Sequence, residues 1–255
     1  MITFETNIQD RLVRMYSDFP LKNAAGAILK TLAQISTKTD IFNGKFVMCF
    51  GWAYFFLDER EEDDGTKFWV VQTSDYKKNP LKDKNDNVTV SLLVQNMQLE
   101  AVQKAKLKPE AVTFKDTILV LKAALNSKEI YLNRTEPTKD GDSGWYLGLL
   151  DDPDEENHTS DEYEKIPSYR FLEGRAEVLR VLQMPVGTVA VINENKLTAL
   201  VDGNDQPLEF TSDEERRRLG AEARQKMEQE LAEAQAQAEK AAAENEETTE
   251  AETEE

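Results

Sequence analysis

The side chains that could carry out chemistry in this chain are one histidine, one cysteine and several groups of carboxylates. His158 lies in an acidic segment, and Cys49 lies in the apolar run at residues 46–50. A cysteine nucleophile needs a nearby base, and pairing these two would require a strand residue to meet a loop residue. A single histidine also excludes a multi-histidine metal site, and no glycine-rich phosphate-binding loop occurs. We therefore expect a protein that is not an enzyme, with Cys49 as a buried, unreactive thiol.

Calcium binding is the alternative that the carboxylates suggest. Asp140 and Asp142 precede a predicted strand, and Asp151, Asp152 and Asp154 follow it, so the five could converge on one hairpin end. The first pair lacks the third ligand and the glycine at loop position six that an EF-hand loop needs. A solvated acidic rim is the simpler interpretation, and we expect neither a metal nor a cofactor.

The most distinctive spacing in the chain joins two short motifs within residues 131–145. The first motif is Arg-x-Glu-Pro and the second is Asp-Ser-Gly-Trp, and their residues are Arg134, Glu136, Pro137, Asp142, Ser143, Gly144 and Trp145. Residues 140–144 are Asp, Gly and Ser, which accept positive φ or bond to their own backbone, so they predict a tight turn between strands. We expect Trp145 at the start of the returning strand with its indole in the core, and a partner contact is the alternative role.

These paired motifs resemble the family of bacterial polymorphic-toxin immunity proteins of type thirty-three, which overlaps a domain of unknown function. The resemblance covers about residues 114–201 and includes an opening strand at residues 117–121. It also includes a helix near residues 178–182 that leads through Pro185 and Gly187 into a last strand. The resemblance implies stoichiometric inhibition of a cognate toxin by binding, without turnover.

The charge of the chain favours a basic protein as the partner. The sequence has 49 acidic and 31 basic side chains and a net charge of −18. Residues 211–255 hold fifteen acidic and six basic side chains, so half of the net charge lies there. The remaining charge repels phosphate groups, which disfavours nucleic acid and anionic membranes as partners and favours a basic toxin domain. With no secretory signal and no apolar run long enough to span a bilayer, we expect a cytoplasmic protein.

Two acidic segments are the first candidates for partner binding, because we expect both to project carboxylates from strands. The first is a hairpin tip with the candidates Asp58, Glu59, Glu61, Glu62, Asp63 and Asp64. The second begins a loop at residues 151–164, with the candidates Asp151, Asp152, Asp154 and Glu155. Carboxylates there would raise the association rate of a basic partner more than the final affinity. The alternative function is an adaptor that recruits a partner through its acidic tail or surface.

The hydrophobic pattern predicts an α+β protein made of two small mixed units, each a sheet with packed helices. We divide the chain into an N-terminal helical segment at 1–38, a first α+β unit at 39–112, an immunity-like α+β domain at 113–210 and an acidic tail at 211–255. The predicted elements are helices at 8–19 and 25–35, a strand or bent strand pair at 45–57, strands at 67–72 and 88–94, and a helix at 98–106.

A shift of 76 residues aligns the two predicted units without a gap. It places Asp64 on Asp140 and Trp69 on Trp145, so both hairpins carry an acidic turn followed by a tryptophan. A divergent tandem duplication is one hypothesis, and two unrelated α+β units are the other.

The tail is predicted to be a solvated helix from Ser212 to about residue 243, because its apolar positions are mostly alanine. The residues beyond it bury nothing and are predicted to be disordered.

Removal of residues 211–255 should leave the fold intact, because this segment lacks large apolar anchors. Thermal melts of the full-length and truncated proteins should agree within a few degrees. A truncated protein that loses its cooperative transition would show that the tail packs on the fold.

Overall fold

The computed structural model describes residues 1–212, 214–215, 217–222, 224–225 and 229. Met1–Phe210 form one compact unit, and Thr211–Glu255 form a second. The first unit contains two mixed six-stranded sheets with helices, so the predicted α+β class is confirmed. The described residues from 214 to 229 are helical, whereas the predicted disordered end lies outside the described residues. No helix in the described part of the chain is long and apolar enough to cross a membrane.

The first sheet begins with two strands where the sequence predicted a helix. β1 (Ile2–Ile8) and β2 (Arg11–Ser17) form an antiparallel hairpin. Gln9 and Asp10 have φ values of 51° and 60°, as the two central residues of a type I′ turn require. The helix predicted over residues 8–19 is therefore wrong. Burial alternates with a period of two along both strands, and this strand pattern outweighs the helical spacing of a few apolar residues.

Three of the other four strands of the first sheet lie where the sequence predicted strands. The elements are α1 (Lys22–Ser36), β3 (Val47–Phe50), β4 (Ala53–Glu61), β5 (Lys67–Ser74) and the short β6 (Lys84–Asn85). α1 matches the second predicted helix, and β3 and β4 are the predicted strand pair bent at Gly51. The order is β1-β2-β5-β4-β3, with β6 paired to β5, and β2 and β5 run parallel.

The helix α2 (Thr89–Lys104) occupies the place of a predicted strand and extends into the helix predicted at 98–106. The strand predicted over residues 88–94 is therefore wrong, although its β-branched residues favour one. Val88 is the N-cap of this helix, and Asn87 Oδ1 just before it accepts a hydrogen bond from the Thr89 N–H at 3.0 Å. The Thr89 hydroxyl lies 3.1 Å from Ser17 Oγ, which ties the helix start to the end of β2. Tertiary contacts of this kind override residue propensity.

The second sheet contains six strands and is accompanied by one short helix. The elements are β7 (Thr117–Leu121), β8 (Glu129–Arg134), β9 (Asp142–Leu149), β10 (Tyr163–Pro167), α3 (Ala176–Val181), β11 (Val189–Asn193) and β12 (Lys196–Val201). The order is β10-β7-β9-β8-β11-β12, and β7 and β9 run parallel. The predicted opening strand, the helix after it and the exit into a last strand all lie where the sequence placed them.

The two sheets share the arrangement of their three central strands. In each, a strand that carries a tryptophan lies between a parallel neighbour and its antiparallel hairpin partner: β2-β5-β4 in the first sheet and β7-β9-β8 in the second. The 76-residue shift relates the hairpins but not the parallel neighbours, since β7 starts 25 residues before β9 whereas β2 starts 56 residues before β5. The tandem duplication stays a prediction that rests on the hairpins.

Trp52 connects the first sheet to the segment that borders the second. This residue is fully buried, and its indole N–H donates to Ser168 Oγ at 3.0 Å. Its backbone N–H donates to Gln95 Oε1 at 3.2 Å, and its carbonyl accepts from the Phe114 N–H at 2.8 Å. Gly51 precedes it with φ +56°, and a Cβ there would lie 1.7 Å from Gln95 Oε1. The turn therefore needs glycine to bring Trp52 into the shared core.

Cys49 is exposed, so the prediction of a buried thiol is wrong. β3 is an edge strand that directs Met48 toward the core and turns its neighbours Val47 and Cys49 outward. Residues 46–50 are apolar at every position, so their sequence does not show which side chains face the core and which face solvent.

Trp52→Ala should lower the free energy of unfolding by about 3–5 kcal/mol, because it empties a fully buried site. Hydrogen exchange of the amides in β5 and β9 under mild denaturant should show that both sheets lose protection together. Trp52→Phe is the control, since it keeps an aromatic ring and removes the indole donor, and it should cost less. Loss of protection in the first sheet alone would show that the two sheets unfold independently.

Candidate functional site

Arg134 is a buried cation that binds the end of α3. It is the last residue of β8 and is 3% exposed. Its Nη1 donates to the Leu182 carbonyl at 3.2 Å and to the Met184 carbonyl. Leu182 is the C-cap of α3, where backbone carbonyls lack helical partners and a positive charge is favourable. Burial lowers the pKa of Arg134, while the Glu110 carboxylate, 3.5 Å from Nη2, opposes that shift.

Trp145 lies directly opposite Arg134 in the β8–β9 ladder and shares its acceptor. The indole is 1% exposed, and its Nε1–H donates to the Leu182 carbonyl at 3.0 Å. The Arg134 guanidinium carbon lies 5.8 Å from the indole ring centre, within the range of a cation–π contact. Trp145 therefore lies in the core, as its position after the turn predicted. We call these two residues the Arg134–Trp145 pair.

The Asp-Ser-Gly motif organises the start of β9 through its own polar groups. Asp142 Oδ1 accepts from the Gly144 N–H at 3.1 Å, and the Ser143 hydroxyl donates to the Thr117 carbonyl at 2.8 Å. The serine thus links β9 to its parallel neighbour β7. Gly144 has φ +74°, and a Cβ there would lie 2.1 Å from the Thr135 carbonyl oxygen. Only glycine fits this close approach of two backbones.

The remaining motif residues lie around the Arg134–Trp145 pair. The Gly187 N–H donates to the Arg134 carbonyl at 2.8 Å, which continues the β8 ladder toward β11. The motif residues that are partly or fully exposed are Glu136, Pro137, Asp142, Pro185 and Gly187. The motif therefore brings Arg134, Trp145 and Gly187 together at the end of α3, where they hold the fold.

Two buried glutamines, which the sequence analysis missed, extend this cluster to α2. Gln98 Nε2 donates to the Leu179 carbonyl at 2.9 Å, and Gln183 Nε2 donates to Gln98 Oε1 at 2.9 Å. Gln98 shares a helical stripe with the buried Val102, four residues later. A polar side chain within an apolar stripe is the signal that could have identified it.

The first acidic segment is largely paired within the chain. β4 continues to Glu61, so the turn is shorter than the sequence predicted. Three ion pairs occupy its carboxylates: Asp58 with Arg60 at 2.8 Å, Glu59 with Lys67 at 3.5 Å, and Glu62 with Arg14. Asp64 accepts from the Thr66 N–H at 2.8 Å, and this bond lowers the pKa of Asp64. In the described part of the chain, the carboxylates of Glu61 and Asp63 have no hydrogen bond or ion pair.

The second acidic segment is folded around the single histidine. His158 Nε2 lies 2.8 Å from Asp152 Oδ2, and its Nδ1 lies 2.8 Å from Glu162 Oε2. The Asp152 carboxylate, followed by that of Glu162, raises the pKa of His158. The Thr159 N–H, followed by the imidazole, lowers the pKa of Glu162 to about 2. Because the histidine pKa is raised, the pairing stabilises this loop below the ordinary histidine pKa and weakens as pH rises through the raised value.

The acidic loop is thus more ordered than the solvated loop that the sequence predicted. Asp152 is held against His158 with 7% of its side chain exposed. Glu155 Oε1 accepts from the Tyr131 hydroxyl at 2.9 Å, which ties the loop to β8. Asp151 and Asp154 are exposed, and within the described residues their carboxylates form no ion pair.

The aspartates considered for calcium do not converge. Asp142 begins β9 and Asp151 follows its end, so the eight-residue strand separates the two groups by roughly 25 Å. The calcium alternative, in which they meet at one hairpin end, is therefore not supported, because the whole of β9 lies between the two groups. Among residues that the structure describes, no group of three His, Cys, Asp or Glu side chains could hold a metal ion.

The second sheet, α3 and the end of α2 therefore define an α+β domain whose motif residues maintain its fold. Residues 97–202 of the chain match the family model of the Imm33-like domain. The match begins inside α2, includes Gln98 and continues just past β12, so the resemblance to the type thirty-three immunity family is confirmed over this segment. No curated protein and no solved structure matches the chain significantly.

Trp145→Ala should lower the free energy of unfolding by roughly 3–5 kcal/mol, because it empties a buried site beside α3. Ser143→Ala removes one hydrogen bond to Thr117 and should cost only about 1 kcal/mol. Urea unfolding of both variants measures the difference. A Trp145→Ala protein that melts like the parent but no longer binds a partner would place this residue in an interface instead.

Proposed function

We propose that this protein is a cytoplasmic immunity protein that neutralises a bacterial toxin by forming a stoichiometric complex with it. The observation that carries the proposal is the Imm33-like match over residues 97–202. That segment includes the whole second sheet, α3 and the motif residues around the Arg134–Trp145 pair. The proposed action needs a stable surface and no reacting group.

The chemistry of the domain supports binding rather than turnover. Arg134 and Trp145 direct their donors to backbone carbonyls of the chain itself. Both ring nitrogens of His158 are engaged by carboxylates, so this histidine is not free to act as a base for Cys49. His158 therefore has a structural role, and Cys49 is an exposed thiol without a histidine base.

Charge supports a basic partner. The chain has a net charge of −18, and the candidate contacts lie on its two acidic segments. Among the candidate carboxylates of the described residues, Glu61, Asp63, Asp151 and Asp154 are exposed and form neither an ion pair nor a hydrogen bond, so they can pair with a partner at no internal cost. An acidic surface of this kind accelerates the encounter with a cationic toxin domain, and salt screens the effect.

An adaptor is the second candidate function, and the uneven distribution of charge favours it. Residues 211–255 carry half of the net charge and form a unit separate from Met1–Phe210. A charged extension of this type can recruit partners without help from the folded domain. A toxin gene immediately upstream would favour immunity, whereas an isolated gene would favour the adaptor.

Co-expression with the toxin encoded by the neighbouring gene should restore growth of the host cell. Titration of the purified toxin with the protein should abolish toxin activity at a fixed molar ratio, because a binder without turnover inactivates only the molecules it holds. The chain truncated to residues 1–210 is the control, and it should protect equally well. Equal killing with and without the protein, together with no complex in a pull-down, would rule out immunity.

A further inference from the structure

The second sheet has one face that the rest of the described chain leaves open. Trp145 and Leu147 are buried on the side of the core, so their neighbours on β9 face the other way. Alternation and register place a group of partly exposed tyrosine and aliphatic side chains on that side. We call this group the tyrosine face: Leu119, Tyr131, Tyr146, Val189 and Val191.

The tyrosines of this face are held in place by one another and by a glycine. The Tyr131 and Tyr146 ring centres lie 5.7 Å apart. The ring centre of Tyr163, at the start of the adjoining β10, lies 6.2 Å from that of Tyr146. Gly148 lies beneath them: a Cβ there would be 2.7 Å from Tyr146 Oη and 2.9 Å from Tyr131 Cε1. Its absent side chain lets both rings lie over the strand. The result is a preorganised aromatic surface.

The acidic loop borders the tyrosine face. Glu155 accepts the Tyr131 hydroxyl hydrogen bond, and the His158 ring centre lies 6.1 Å from that of Tyr163. Residues 151–162 contain seven acidic side chains and no lysine or arginine. Asp152 and Glu162 pair with His158, whereas the outer carboxylates of the loop project into solvent. A rim of negative charge therefore lies beside an aromatic surface.

The corresponding face of the first sheet is covered by charged side chains of the chain itself. The Arg14 guanidinium lies 4.4 Å from the Phe68 ring centre and pairs with Glu5 at 2.7 Å. Lys84 Nζ lies 4.4 Å from the Phe56 ring centre. Cations thus shield Phe68 and Phe56 of this sheet, whereas in the part of the chain that the structure describes no cation lies over the rings of the tyrosine face.

We propose that the tyrosine face and the adjoining acidic loop form the surface that binds a basic protein partner. This inference rests on the proposed function, in which the partner is the toxin. Tyrosines offer large contact areas with few rotatable bonds, and carboxylates at the rim attract lysine and arginine side chains. A second copy of the chain, or its own acidic segment at 211–255, would bring charge of the same sign to the rim. A basic partner is the occupant that the charges favour.

Leu119→Lys tests the face, because Leu119 is 36% exposed and lies directly beside Tyr146 in the β7–β9 ladder. Val47→Lys is the matched control: Val47 is a 51% exposed aliphatic residue on the edge strand of the first sheet. Calorimetric titration with the purified toxin should show binding at least about tenfold weaker for Leu119→Lys and within about twofold of the parent for Val47→Lys. Thermal melts of both variants should match the parent.

A second pair of variants keeps the test valid if Leu119→Lys does not fold. Asp151→Lys with Asp154→Lys reverses exposed charges of the loop, and Glu61→Lys with Asp63→Lys reverses unpaired charges of the first hairpin tip. Stopped-flow mixing with the toxin measures the association rate constant of each variant. This rate constant should fall, and its dependence on salt should weaken, more for the loop variant than for the tip variant.

The outcomes separate this inference from the proposed function. A parent protein that neither binds nor protects against the toxin would remove the proposed function. A parent that protects, with loop and face variants that bind as tightly and as fast as it does, would overturn the tyrosine face alone. Self-association of the parent that Leu119→Lys abolishes would replace the basic partner with a second copy.

Discussion

The convergence of two donors on the Leu182 carbonyl is the interaction on which the immunity-like domain depends. α3 has only six residues and could not persist as an isolated helix in water. Arg134 and Trp145, from adjacent strands, both donate to the carbonyl that caps it. A buried guanidinium is costly without partners, and even here its Nε finds none within the described residues. The sheet therefore fixes the helix end, and the helix end in turn satisfies the buried charge.

This dependence gives the buried motif residues Arg134 and Trp145 a role in the fold. The most distinctive side chains of the sequence lie on the helical side of the second sheet, where they are buried or engaged with backbone. Alternation along β8 and β9 then sends the intervening residues, Tyr131 and Tyr146, to the opposite side. The side that carries the family motif maintains the fold, and the opposite side carries the tyrosine face that we propose as the contact surface. The motif that identifies the family therefore does not mark the proposed contact surface.

The sequence was sufficient where local pattern and tertiary context agree. The β4–β5 hairpin follows from apolar runs and turn residues, β7 and α3 follow from the resemblance to the immunity family, and the burial of Trp145 follows from its position after the turn. It was insufficient where long-range partners decide the structure. Residues 88–94 have strand composition, but the hydrogen bond from Thr89 to Asn87 and the contact of Thr89 with Ser17 fix the start of a helix there. The His158 cluster forms because Asp152 and Glu162 both contact the imidazole ring. The sequence shows that these residues are acidic but not that the loop brings them to the same histidine.

The two acidic segments show most clearly why charge in a sequence is not the same as charge available to a partner. By count alone the tip at 58–64 is the stronger candidate, since six of its seven residues are carboxylates. In the folded chain Arg14, Arg60 and Lys67 neutralise three of them, so the field that an approaching cation meets there is much reduced. In the loop at 151–162 the one side chain of the described residues that forms ion pairs with its carboxylates is His158, which is positively charged only when protonated, and Lys122 donates to the Asp161 carbonyl. As pH rises through the raised pKa of His158, the loop gains net negative charge while its internal pairing weakens. For the proposed complex, the same titration should strengthen the long-range attraction of a basic partner and loosen the loop beside the tyrosine face, so we expect the association rate and the stability of the complex to depend on pH in opposite directions.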